Sequence, residues 1–105
     1  MTDLEITKAC AEMIGYPEYV NPDGRATKPV PPRILVLLMD QNATPELYDP
    51  LHDDAQCFAL VKKFNLMLLW LEPQQLWSIN FGVTRNQDLN RAICECVAKM
   101  HANRS

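Results

Sequence analysis

The stretch that decides the fold is Leu66-Met67-Leu68-Leu69-Trp70-Leu71-Glu72-Pro73-Gln74-Gln75-Leu76-Trp77-Ser78-Ile79-Asn80-Phe81. Its first six residues are apolar at every position, the pattern of a short strand covered on both faces. After the link Glu72-Pro73-Gln74-Gln75 the pattern changes. Trp77, Ile79 and Phe81 then alternate with Leu76, Ser78 and Asn80, as in a strand with one wetter face. The stretch therefore predicts a β-hairpin, with 66–71 in the middle of a sheet and 76–81 at its edge.

A similar apolar run, Ile34-Leu35-Val36-Leu37-Leu38-Met39, predicts a further buried strand. Because three of its six residues are Leu, it is also compatible with a helical segment. Three amphipathic helices surround these runs. The first spans about Asp3 to Ile14, opened by a Thr2/Glu5 capping box and stopped by Gly15. Its apolar face is Ile6, Ala9, Cys10, Met13 and Ile14. The second starts near Asp53 or Asp54 and ends near Phe64 or Asn65, with Cys57, Phe58, Leu60, Val61 and Phe64 on one side. The third runs from about Asp88 to Ala102, capped by Asn86 or Asp88, and carries the stripe Leu89, Ile93, Cys96, Val97 and Met100. Strands apolar on both faces need helices on both faces. The expected class is α/β (α+β): a three-layer α/β/α sandwich, a small sheet with helices on both faces. A right-handed crossover through the second helix would join 34–39 to 66–71.

The remaining segments are irregular. A Pro-rich loop at about 16–33 holds Pro17, Pro22, Pro29, Pro31 and Pro32, with Arg25, Lys28 and Arg33 making it locally basic. Residues 40–54 form an acidic loop with Asp40, Glu46, Asp49, Asp53 and Asp54. The 105 residues suit one domain, 1–105. Thirteen acidic against ten basic residues give a net charge of −3, which argues against a general nucleic-acid coat. No apolar run approaches the roughly 18 residues of a membrane span. The start, Met1-Thr2-Asp3-Leu4, is not that of a secretory signal, and four cysteines then fit reduced thiols in a cytoplasm.

Three blocks carry a family resemblance: Ile6-Thr7-Lys8-Ala9-Cys10-Ala11-Glu12-Met13; Tyr48-Asp49-Pro50-Leu51-His52-Asp53-Asp54-Ala55-Gln56-Cys57 with Leu60-Val61-Lys62-Lys63; and Asp88-Leu89-Asn90-Arg91-Ala92-Ile93-Cys94-Glu95-Cys96-Val97-Ala98-Lys99-Met100. In order and spacing they resemble the phage ABA-sandwich domain family, small proteins of bacteriophages and prophages. The resemblance implies an α/β/α sandwich and a place in the bacterial host cytoplasm. It implies no activity that can be assigned to a residue.

Few residues suggest chemistry. Asp49, His52, Asp53 and Asp54 form the one polar cluster suited to acid–base work or a divalent ion. The simpler reading makes Asp53 or Asp54 a helix cap and Asp49-Pro50 a turn. Cys94 and Cys96 stand about 200° apart on a helix and cannot share one tetrahedral ion, so no metal is expected. Cys96 falls on the core stripe and Cys94 off it. No nucleophile elbow or phosphate loop occurs, and no motif asks for a cofactor. Trp77 and the basic Arg25, Lys28 and Arg33 are the binding candidates, the tryptophan as core or as interface with Trp70 and Phe81. The expected function is a non-enzymatic protein-interaction module, an accessory protein of phage or prophage. Its partner is a host or phage protein or a second copy, rather than nucleic acid or membrane. The alternative is a small metal-dependent or acid–base hydrolase using the 49–54 loop.

Overall fold

The structure, a computed structural model, describes residues 1–16, 18, 31–37 and 45–103. Most of the Pro-rich loop, including Arg25 and Lys28, lies outside the described residues, as do 38–44 with Asp40. The element order is α1 (Asp3–Met13), β1 (Ile34–Leu37), β2 (Pro45–Tyr48), α2 (Asp54–Phe64), β3 (Leu68–Leu71), β4 (Leu76–Ile79), β5 (Thr84–Asn86) and α3 (Leu89–Ala102). Three helices and two small antiparallel sheets make an α+β fold, the class expected.

Local chemistry sets the helix ends. Thr2 Oγ1 accepts from the Glu5 N–H, and the Glu5 carboxylate accepts from the Thr2 N–H, which completes the capping box. Gly15, at φ 81°, ends α1: its N–H reaches Glu12 O and the Tyr16 N–H reaches Ala11 O. Asp53 caps α2 by accepting from the Gln56 N–H at 3.0 Å, and Asp88 caps α3 by accepting from the Arg91 N–H. Arg91 also ties α3 to α1 through Asp3 at 2.7 Å.

Helix α3 is the centre of the molecule. It packs against α1, α2, β4 and β5 together. Ala92, Ile93, Cys94, Cys96, Val97 and Ala98 are all fully buried. Cys94, expected off the stripe, is therefore core: a helix covered from several sides buries more than one face. Phe58, expected on the core side of α2, is exposed, because only Cys57 and Leu60 of that helix are fully covered.

The sheets depart from the sequence reading in arrangement. β1 pairs with β2 in one ladder, with Ile34 opposite Tyr48; β3, β4 and β5 form a second. Hence 34–37 and 66–71 share no sheet, and there is no parallel crossover between them. β4 occupies the centre and β3 an edge, the reverse of the expectation. The cause is β5, which pairs Thr84 with Ile79 and gives β4 a second neighbour. Strand β5 has no apolar residue, and the Thr84 hydroxyl donates to Ala92 O at 2.6 Å, pinning it beneath α3.

Candidate functional site

Two regions compete as the site. The first is the 49–54 loop. Here β2 ends, the chain turns at Pro50, and α2 begins at Asp54. The Asp49 carboxylate is nearly buried, and His52 Nδ1 donates to it at 2.9 Å. Arg33 Nε donates to the same carboxylate at 3.4 Å. Gln56 clamps the turn: its Oε1 accepts from the Asp49 N–H at 2.6 Å, and its Nε2 donates to Leu47 O at 2.8 Å. The fold thus brings Asp49, His52 and Arg33 together. It engages Asp53 as a cap and Asp54 as acceptor from Asn90 Nδ2 at 2.9 Å, which fastens α2 to α3.

An aspartate holding the Nδ1 side of an imidazole, with the ring largely in solvent, is half of an acid–base apparatus. What it needs further is a concave site. The pocket beside this loop has a volume of about 240 Å³ and is lined by Ile14, Tyr16, Val36, Leu47, Tyr48, Ala55 and Ala59, with Glu46 and Gln56 as its charged and amide side chains. None of Asp49, His52, Asp53 and Asp54 lines it. Among the described residues, no group of three or more His, Cys, Asp or Glu is arranged to hold a metal ion.

The cysteines belong to the core. Cys10, Cys57 and Cys94 come one from each helix, and the Cys10 thiol donates to Cys94 O. Contact with the Cys94 thiol, then burial, pushes the Cys57 thiol far up; contact with the Cys10 thiol pushes Cys94 up. Cys96 turns elsewhere, toward Thr84 and Lys99, and burial raises it too. Thiols held protonated are small apolar groups rather than nucleophiles. The buried Tyr48 hydroxyl has no hydrogen-bond partner, and burial raises it strongly.

The second region is the β3–β4–β5 sheet. Cross-strand register places Leu68, Ile79 and Thr84 on the face toward α3, with Trp70, Trp77 and Asn86 continuing it. Leu69, Ser78 and Arg85 share the opposite face with Leu71 and Leu76. The expected cover over both faces of 66–71 is not found: Met67 is 50% exposed, Leu69 55% and Trp70 41%. Trp77 is half-buried and meets Trp70 edge to face, with ring centroids 5.2 Å apart. Trp70 Nε1 donates to Glu72. Phe81 was expected to extend β4. Instead β4 stops at Ile79, and Asn80-Phe81-Gly82 turns with φ of 49°, 59° and 92°. Phe81 sits at the tip of this turn, 87% exposed. The sequence signal for this was the Asn-x-Gly frame around it.

Family models, curated proteins and solved structures give no match to this chain. Among the described residues, no helix is long and apolar enough to cross a membrane.

Proposed function

We propose that the protein is a non-enzymatic protein-interaction module whose binding surface is the open side of the β3–β4–β5 sheet and the turn that follows β4. The observation that carries this reading is Phe81. An aromatic side chain stands in water on a backbone in the left-handed region, which costs about 1–2 kcal/mol for a residue with a Cβ. Met67 and Leu69 add exposed apolar area on that side and Val83 in the turn, while Trp70 is exposed at the outer edge of β3 on the α3 side. In keeping with the resemblance of the helical blocks, the proposal includes a phage or prophage origin, action in the host cytoplasm and, as partner, a host or phage protein or a second copy of the chain.

The test compares wild type with Phe81→Gly as bait in bacterial cells expressing the chain, alongside urea unfolding of both. The reading expects a protein retained by wild type and lost by Phe81→Gly, while the variant is as stable or up to about 1 kcal/mol more stable. A monodisperse monomer that retains nothing, or retention of a different protein that is indifferent to Phe81, removes it.

The Asp49–His52 pair favours a second reading, a small acid–base or metal-dependent hydrolase. Metal titration by calorimetry and a substrate screen, each repeated with His52→Ala, decide it. Activity or metal binding lost with the imidazole supports that reading; a blank screen for both proteins ends it.

A further inference from the structure

The edges of the two sheets are not alike. β5 is three residues long and places the exposed Arg85 in its middle, a common guard against strand addition. β1 has β2 on one side and bridges Glu18 on the other. Among the described residues β3 has neither protection. Its sequence Leu68-Leu69-Trp70-Leu71 contains no charge and no proline, and β4 is its one strand neighbour among the described residues.

The polarity of the ladder shows which groups are open. The Asn80 N–H donates to Met67 O at 2.9 Å, so residues 67, 69 and 71 turn their main-chain groups toward β4. Leu68 and Trp70 therefore turn an N–H and a C=O each toward the outer edge. Two such edges fit one another. With a two-fold axis at Leu69, Leu68 of one copy faces Trp70 of the other, and the reverse. Four main-chain hydrogen bonds form, and Leu69 meets its symmetry mate on the open face.

Extending this register by residue number sets Glu72 opposite Leu66, so like charges do not face each other across the seam. The axis is of the kind that closes a dimer. Covering the exposed parts of Met67, Leu69 and Trp70 with the strand edge hides on the order of 400 Å² per protomer, about 800 Å² in all. That is below the size of obligate interfaces and within the range of weak, reversible ones.

We propose that a second copy of this chain docks on β3, antiparallel and centred on Leu69, to make a reversible dimer with a continuous six-stranded sheet. This deepens the interaction-module reading, on which it rests, by naming the partner of that sheet.

Sedimentation velocity of the full chain from about 5 to about 500 µM tests it, with Leu69→Lys as the disruptive variant. The expected result is a concentration-dependent shift from monomer to dimer. Leu69→Lys sets two ammonium groups face to face and weakens the dimer about a hundredfold or more. Since Leu69 is already half exposed, the lysine is compatible with the folded monomer. Hydrogen exchange on the wild type gives a readout free of mutation. The Leu68 and Trp70 amides should gain protection as concentration rises, while Leu69 and Leu71 do not change. A monomer throughout the range overturns the proposal, as does a dimer that Leu69→Lys leaves intact or one without added protection at Leu68 and Trp70. A monomer that still captures a different protein through Phe81 overturns the dimer and leaves the module reading standing; a monomer that captures nothing removes both.

Discussion

Raising the pH should unfold this protein from its centre. Cys57, Cys94 and Cys96 are fully buried, and all three thiols are held above their ordinary value of 9.0. In the unfolded chain they ionise near that value. Above it the unfolded state releases protons that the folded state keeps, so stability falls with rising pH; below it the contribution is intact. One pH unit above the unfolded value costs about 1.4 kcal/mol for each thiol that stays protonated in the folded state. Cys57 and Cys94 together cost about 3 kcal/mol at pH 10, a large part of the 5–15 kcal/mol typical of a domain, and Cys96 adds in the same direction. Tyr48, raised from 10.0, adds to the loss at higher pH. Urea unfolding followed by far-UV circular dichroism between pH 7 and pH 10, with reductant present, measures this. Cys94→Ala should lessen the slope above pH 9 by about one proton, whatever it does to stability at pH 7. A free energy flat to within about 1 kcal/mol between pH 8 and pH 10, or a slope untouched by Cys94→Ala, would refute the reasoning.

Two further substitutions probe single groups. Tyr48→Phe deletes a buried hydroxyl without a partner and should stabilise the protein by about 1 kcal/mol in urea unfolding, since an unsatisfied group costs 1–3 kcal/mol; a loss of similar size would mean that the hydroxyl is hydrogen-bonded in solution. Asp53→Ala removes the α2 cap and should cost about 1 kcal/mol without changing activity or assembly, whereas a loss of function on its removal would reinstate Asp53 as a site residue.

What could be read from the sequence was local. Thr2, Asp53 and Asp88 mark helix starts because a cap acts within three residues of itself. β3 and β4 were legible as strands, but their places in the sheet were not. A run apolar at every position reads as doubly covered, yet β3 leaves Leu69 in water because the strand order is set by β5, which carries no hydrophobic pattern. β2 begins at a proline inside an acidic stretch, a composition that reads as loop. The place of Cys94 is not legible from a single helical stripe, which assumes one-sided burial, whereas α3 is packed from several sides. At the polar loop, residue types indicated Asp49 and His52 but could not reveal that Asp53 and Asp54 serve the backbone and Asn90.

The two candidate regions differ in how fully their groups are employed within the monomer. In the 49–54 loop the carboxylates of Asp49, Asp53 and Asp54 each take a hydrogen bond from a side chain or a helix start. Only the outer edge of the His52 ring is left to act, and the adjoining pocket is walled by other residues. The β3–β4–β5 sheet is the opposite case. It keeps Leu69 and Phe81 in water, holds Phe81 at positive φ, and leaves the outer edge of β3 without a strand neighbour among the described residues. The apolar exposure and the open edge are costs that no contact among the described residues removes, and both are relieved when a strand and an apolar surface arrive together. The backbone strain at Phe81 remains on binding, and its return is the contact area of an aromatic ring set at the tip of a turn. That concentration of unrelieved cost in one sheet is why association, rather than catalysis, is the reading that the physical chemistry of this fold favours.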